Sequence, residues 1–226
     1  LDISHLSTIS SHIQKTKQVD SWFNYLLEII QLSGFNVGYL LKQRAEKYKE
    51  KIAFFVIKNG KISNISYSSL WKKVIEIGKG VSSFNNKDSK PTIGLLTHNQ
   101  LNGALVDLAC LSFGFKIIPI PLNSTCEHAS YIINHSEITH LFIGGENAEK
   151  IWNDIRHSHD IVTIAMSEAN QITDYSMNWD SFLSGGDFVQ DFDVNGQLSK
   201  IDMNAIQTIM YTSCLLYTSP SPRDSR

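Results

Sequence analysis

Cysteine is sparse, with three residues in 226, and none stands in the C-x-x-C spacing of a zinc ribbon or a redox pair. Cys110 and Cys126 lie in apolar or helix-forming surroundings, so neither a zinc site nor a redox dithiol is indicated and a reducing cytoplasm fits. Excess charge is lacking too: 20 basic against 22 acidic residues leave a formal charge of −2. Binding to nucleic acid needs a clustered basic face, and no nucleic-acid partner is expected. No run approaches the roughly 20 apolar residues that span a bilayer. The first residues carry neither the basic start nor the apolar core of a signal peptide. Also missing are a Gly-x-Ser-x-Gly elbow, a complete P-loop, a dinucleotide fingerprint and a His-Glu-x-x-His pair, which sets aside the common hydrolases and zinc proteases. What remains is 42% hydrophobic and 19% charged, an ordinary globular composition at a length that can bury a real core.

Residues 1–20 are polar, without a sustained period, and read as a loose leader. Asp20 and Ser21 can cap a helix with Trp22, Leu26, Ile29 and Ile30 on one face, ending at Ser33-Gly34. Such a stripe can dock on the protein body or lie on a membrane through Trp22 and Phe23. The polar face lacks the Lys/Arg density of an interfacial helix, so docking is the expectation and peripheral membrane contact the second option.

From Asn36 the pattern becomes regular. Asn36 can cap a helix with Val37, Leu40, Leu41 and Ala45 at helical spacing. The apolar run 52–57 then meets 61–66 across Asn59-Gly60, a hairpin signal because both turn positions need positive φ. Leu70, Val74, Ile77 and Val81 mark the next helix. After that, strands and helices alternate. Strand 92–96 leads through Asn99 into helix 104–111, which stops at Gly114. Strand 116–121 precedes a helix whose capping box is Ser124-x-x-Glu127. Strand 140–143, helix 148–155 and strand 161–165 follow. The alternation predicts an α/β fold, a mostly parallel sheet with helices on both faces and right-handed crossovers. Residues 167–201 lose the period, contain Gly185-Gly186 and Asn195-Gly196, and read as a long connection to a new strand at Ala205.

Clusters with chemical potential mostly have plain explanations. His128, His135 and His140 are spaced by seven and five, which does not put them on one helical face, and no carboxylate or thiolate is patterned with them. His157-Ser158-His159-Asp160 falls in a turn, and triad members are normally far apart in sequence. Asp107, on an otherwise apolar helix, is expected to serve neighbouring backbone or basic groups.

The C-terminal thirteen residues, from Cys214, resemble a translated sequencing-library adapter, and 214–226 are set apart from fold reasoning. With Leu1 in place of an initiating methionine, both ends are expected to be cut. Immediately before this tail stands Ala205-Ile206-Gln207-Thr208-Ile209-Met210-Tyr211-Thr212-Ser213, an apolar run ending in small hydroxyl residues. A buried strand enters a phosphate-binding loop in this way. With its preceding Asp202-Met203-Asn204, it resembles the run that introduces the phosphate loop of AMP-forming acyl-CoA synthetases, in the adenylate-forming superfamily, where Tyr-Thr-Ser is followed by Gly-Thr-Thr-Gly-x-Pro-Lys-Gly. Upstream landmarks occur in that family's order. Ser66-Tyr67-Ser68-Ser69-Leu70 resembles its Thr-Tyr-x-Glu-Leu, with Ser69 at the glutamate. The stretch from Ile93 to Gln100 resembles its strand into an asparagine-marked helix start. The stretch from Asp107 to Ile120 resembles its helix, Gly-Ala and Val-Pro-Ile segment, with Phe115 at the usual alanine.

The resemblance covers about residues 36–213 and implies the following organisation: residues 1–35 as leader and N-terminal helix, 36–213 as the N-terminal part of an AMP-binding domain, and 214–226 as the tail. It implies an intact enzyme that converts a carboxylate and ATP, with Mg²⁺, to an acyl adenylate and then to a thioester with CoA. A long-chain fatty acid is the expected substrate. Thr212 and Ser213 are the residues that match the ATP motif, with phosphate or Mg²⁺ contact as their implied role; no catalytic or metal-ligating residue is assigned. The chain as given is expected to be inactive, cytoplasmic or peripheral to a membrane, and its oligomeric state is left open. An adenylation domain of a peptide synthetase, a fatty acyl-AMP ligase and a non-catalytic flavodoxin-like α/β binding module are the alternatives.

Overall fold

The computed structural model describes residues 25, 26, 29, 30, 33–58, 60–86, 89–166, 175–187, 189 and 191–211. The leader, Trp22, Phe23, Asn59, Thr212, Ser213 and the tail lie outside the described residues. Tyr25, Leu26, Ile29, Ile30 and Ser33 are helical, where the N-terminal helix is expected. Helix α1 (Val37–Tyr48) starts at Asn36, whose side chain accepts from the Tyr39 amide and donates through Nδ2 to the Leu198 carbonyl at 2.9 Å. The cap thus also ties the helix to a distant part of the chain. Strands β1 (Ile52–Lys58) and β2 (Lys61–Ser66) form the expected antiparallel hairpin, with Gly60 at φ +72°. Phe54 and Val56 pack inward, while Phe55, Ile57 and Ile62 remain exposed.

Helix α2 (Tyr67–Ser82) opens the α/β body, followed by β3 (Thr92–Thr97), α3 (Leu101–Phe113), β4 (Lys116–Pro119) and α4 (Cys126–His135). Then come β5 (His140–Gly144), α5 (Glu146–Ile155), a 3₁₀ turn at Arg156–Ser158, β6 (Val162–Ala165), β7 (Met177–Asn178), α6 (Trp179–Asp187) and α7 (Val194–Ser199). Five strands pair in the order β4-β3-β5-β6-β7, every pair parallel. Alternate residues of each strand feed opposite faces, as a period of two requires. Ile93, Ile117, Phe142 and Ile164 meet α2, α3 and α6 through Val74, Val106 and Phe182. Leu96, Ile118, Leu141, Ile143 and Ala165 meet α4 and α5 through Ile132, Ile133 and Trp152. Both faces are therefore covered, and full burial of each large side chain contributes about 1.5–3 kcal/mol.

Several local expectations are corrected. The region 167–201 is no featureless connection: its described part holds β7, α6 and α7. Gly185 and Gly186 lie inside α6. A Cβ at Gly186 would stand 2.9 Å from the Gly80 backbone nitrogen, so this glycine permits close approach of α6 to α2 and does not mark a turn. Thr125, one residue after Ser124, caps α4 by accepting from the His128 amide at 3.2 Å. Gln100 sits at the start of α3 without a side-chain cap, so Asn99 does not mark the first turn. The strand expected at Ala205 reduces to one parallel bridge, Thr208 to Ile117, on the outer edge of β4.

Candidate functional site

In an open parallel sheet, ligands bind beyond the carboxyl ends of strands at the point where the strand order reverses. The connection after β3 leads outward to β4 and the next returns across it to β5, so the switch lies between β3 and β5. A crevice of about 220 Å³ opens there, lined by His98, Leu122, Gly144, Gly145, Glu146, Asn147 and Ala148. Its floor is cross-braced. The Thr97 hydroxyl donates to the Gly144 carbonyl at 2.9 Å and receives Gln100 Nε2 at 2.6 Å. His98 Nδ1 lies 3.2 Å from the same carbonyl, which can only accept, so this ring nitrogen donates. Gly144 and Gly145 are necessary here. A Cβ on Gly144 would run into the Gln100 amide, one on Gly145 into the His98 ring, and Gly145 also has φ +97°.

The crevice can offer hydrogen bonds but little positive charge. Gly145 starts α5 without a side-chain cap, so the first-turn amides of the residues lining the crevice receive no side-chain acceptor from it. Glu146 stands in that first turn, its carboxyl held below the usual range by a hydrogen bond from Lys150 at 2.8 Å. Both members of this pair are well exposed, which makes it worth little. No Lys or Arg is among the lining residues, and among the described residues no group of three His, Cys, Asp or Glu could hold a metal. The residues lining this crevice therefore offer MgATP no cationic contact of their own. Sequence reading missed this crevice, although Gly144-Gly145 between an apolar strand and an amphipathic helix was its available signal.

The other candidates separate into structural roles. His140 stacks on Phe84 at 4.1 Å, and burial lowers it to about 4. His159 receives or donates a hydrogen bond with Ser130 at 2.7 Å and stacks on Trp152. Asp107 is half-buried, and burial raises its carboxyl. Cys110 is fully buried, with its thiol pushed up by burial and then by Asp107; the Cys126 thiol donates to Asp154 at 3.6 Å. Neither is an activated nucleophile. His128, His135 and His140 form no common site. His135 instead meets Tyr211, whose hydroxyl lies 2.6 Å from both His135 Nδ1 and Ser136 Oγ. Thr212 and Ser213, the residues expected at the phosphates, follow directly and lie outside the described residues.

An open parallel sheet clad by helices on both faces, with its chain leading to Tyr-Thr-Ser, is the architecture of the N-terminal part of the adenylate-forming fold. The chain belongs to the AMP-binding enzyme family, which matches residues 41–214. Among solved structures it is similar to a fatty acyl CoA synthetase of Mycobacterium tuberculosis at 18% identity and TM-score 0.53, over 79% of this chain and 32% of that one. It is likewise similar to a point-mutant form of coronafacic acid ligase from Pectobacterium brasiliense, at 18% identity and TM-score 0.60, over 79% and 33%. The N-terminal domain of FACL13 from M. tuberculosis matches at 17% identity and TM-score 0.52, over 68% and 36%. Identities this low carry the fold alone. The chain spans about a third of the length of these structures. No curated protein matches it in sequence.

Proposed function

We propose that this chain is the N-terminal part of an ATP-dependent acid–thiol ligase that activates a long-chain fatty acid as its adenylate and transfers the acyl group to CoA. The observation that carries this reading is the family match, which runs to the Tyr211-Thr212-Ser213 segment where the phosphate loop would begin. Two of the similar folds are named as acting on fatty acyl or related carboxylic acids, which supports a carboxylate substrate. The chemical logic is that a carboxylate is a poor electrophile until AMP becomes its leaving group. Thr212 and Ser213 would contact phosphate through their hydroxyls and backbone amides, or Mg²⁺ through a hydroxyl oxygen. The chain as given would not catalyse this. It spans a third of the similar structures, and its described residues supply neither cationic nor metal-binding groups at the crevice. We place the enzyme in the cytoplasm or at the periphery of a membrane.

Sequencing the source DNA across the codon for Ser213 tests the reading. Gly-Thr-Thr-Gly-x-Pro-Lys-Gly in frame supports it. A genomic Cys-Leu-Leu-Tyr-Thr-Ser followed by a stop codon would overturn it. Given the continuous gene product, thioester formation separates a CoA ligase from a fatty acyl-AMP ligase or a peptide-synthetase adenylation domain, which stop at the adenylate or pass it to a carrier.

A further inference from the structure

The segment that leads to residues 212–213 is weakly held as a strand. Between 205 and 211 its ties to β4 are two backbone hydrogen bonds, Ile117 N–H to the Gln207 carbonyl at 2.8 Å and Ile209 N–H to the Ile117 carbonyl at 3.3 Å. Ile206 and Met210 are 69% and 73% exposed, so the outer side adds no packing, and on the inner side Ile209 is partly buried against the core. An edge with so few ladder bonds would fray at its end. Its last described residue is nonetheless fixed by side chains. Tyr211 lies over the final turn of α4, at right angles to both Tyr131 and His135, which are stacked on each other at 5.2 Å. Its hydroxyl is within 2.6 Å of His135 Nδ1 and of Ser136 Oγ. A phenol can donate to one and accept from the other, so both contacts can be satisfied at once in either direction. The Ser136 side chain is free for this, because its helix-ending role uses the backbone N–H, bonded to the Ile132 carbonyl at 3.0 Å.

We propose that Tyr211 is a positioning residue, held by His135 and Ser136, that fixes the point from which the ATP-phosphate loop leaves the sheet. The inference rests on the adenylate-forming reading, and it adds two α4 residues that belong to no phosphate motif. A loop whose backbone amides must converge on phosphate depends on where its first residue stands, since displacements near 1 Å cost large factors in rate or binding. Phenylalanine would keep the ring contacts and lose both hydrogen bonds, which isolates the grip from the packing.

The test uses the continuous gene product and two independent readouts. Tyr211→Phe is expected to speed amide hydrogen exchange at residues 207–211 and to raise the KM for MgATP about tenfold, leaving the KM for the carboxylate near wild type. His135→Leu should do the same. His135→Gln, which retains an acceptor and a donor, should recover most of the MgATP affinity. An unchanged MgATP KM and unchanged exchange in Tyr211→Phe would overturn the proposal, and so would equal losses in both KM values with a lowered thermal midpoint, the mark of a merely structural residue. If the wild-type protein releases no pyrophosphate with any carboxylate, the ligase reading fails by itself. The exchange rates at 207–211 then still decide whether Tyr211 is gripped: acceleration in Tyr211→Phe upholds the anchor, and its absence removes it.

Discussion

At the scale of single residues, the start of α4 offers a clean contrast. Thr125 accepts the His128 amide, whereas the neighbouring Ser124 Oγ is buried without a hydrogen-bond partner. Thr125→Ala should therefore cost about 1 kcal/mol by loss of the cap. Ser124→Ala should be neutral or stabilising, since it removes an unsatisfied polar atom. Urea midpoints of the two variants check this, and a larger loss at Ser124 would contradict it. Gly145 is constrained twice, by φ +97° and by the His98 ring. Gly145→Ala should cost on the order of 1–3 kcal/mol, read in the same experiment. His140 supplies a pH dependence whose sign follows from burial. Burial lowers its pKa to about 4 in the folded protein, from the ordinary imidazole value of 6.5. Above pH 6.5 it is neutral in both states and contributes no pH dependence. As pH falls from 6.5 towards 4 the unfolded chain takes up a proton that the folded chain refuses, and stability declines, levelling off below. With partial solvent screening the loss should be on the order of 1–2 kcal/mol. A His140→Gln variant should show a correspondingly flatter stability profile between pH 7 and pH 4.5; an unchanged profile would rule the histidine out as its source.

At the scale of elements, periodicity was readable wherever an element buries one face or alternates. The α2 stripe of Leu70, Val74, Ile77 and Val81, the hairpin around Gly60 and the stop at Gly114 in left-handed conformation all stand as their local chemistry dictates. What could not be read locally was set by contacts distant in sequence. Gly185-Gly186 carries the composition of a turn, yet it lies within a helix because α6 approaches the α2 backbone at Gly80. The two-residue strand β7 is too short to show a period and exists by pairing with β6. The crevice had one local signal, Gly144-Gly145 after β5, but its position at the switch between β3 and β5 depends on strand order, which is not a local property of sequence. The grip on Tyr211 joins residues 75 and 76 positions apart. The close helix contact makes its own prediction: Gly186→Ala must push α6 from α2 and should destabilise by about 1–3 kcal/mol, measurable by thermal or urea unfolding. A stability equal to wild type would show that the two helices can separate freely.

At the scale of the whole molecule, two closed cores coexist with apolar surface. Phe55, Ile57 and Ile62 stand out from the hairpin, and Ile206 and Met210 from the edge beside β4. On the hairpin Ile57 is paired directly with Ile62, two residues from Phe55, and an exposed apolar patch of this kind is a site of association. The chain as given should accordingly bind a hydrophobic dye under native conditions, and Phe55→Thr with Ile57→Thr should weaken the signal without changing the cores; a protein silent towards the dye would contradict this. The parallel sheet, the family match over residues 41–214 and the Tyr-Thr-Ser segment at its end all bear on one claim about chemistry. Carboxylate-dependent cleavage of ATP by the continuous gene product tests that claim most directly. AMP and pyrophosphate are expected in equal amounts when a long-chain fatty acid is supplied, with a thioester appearing once CoA is added. Release of ADP and inorganic phosphate, or ATP cleavage indifferent to the carboxylate, would contradict it.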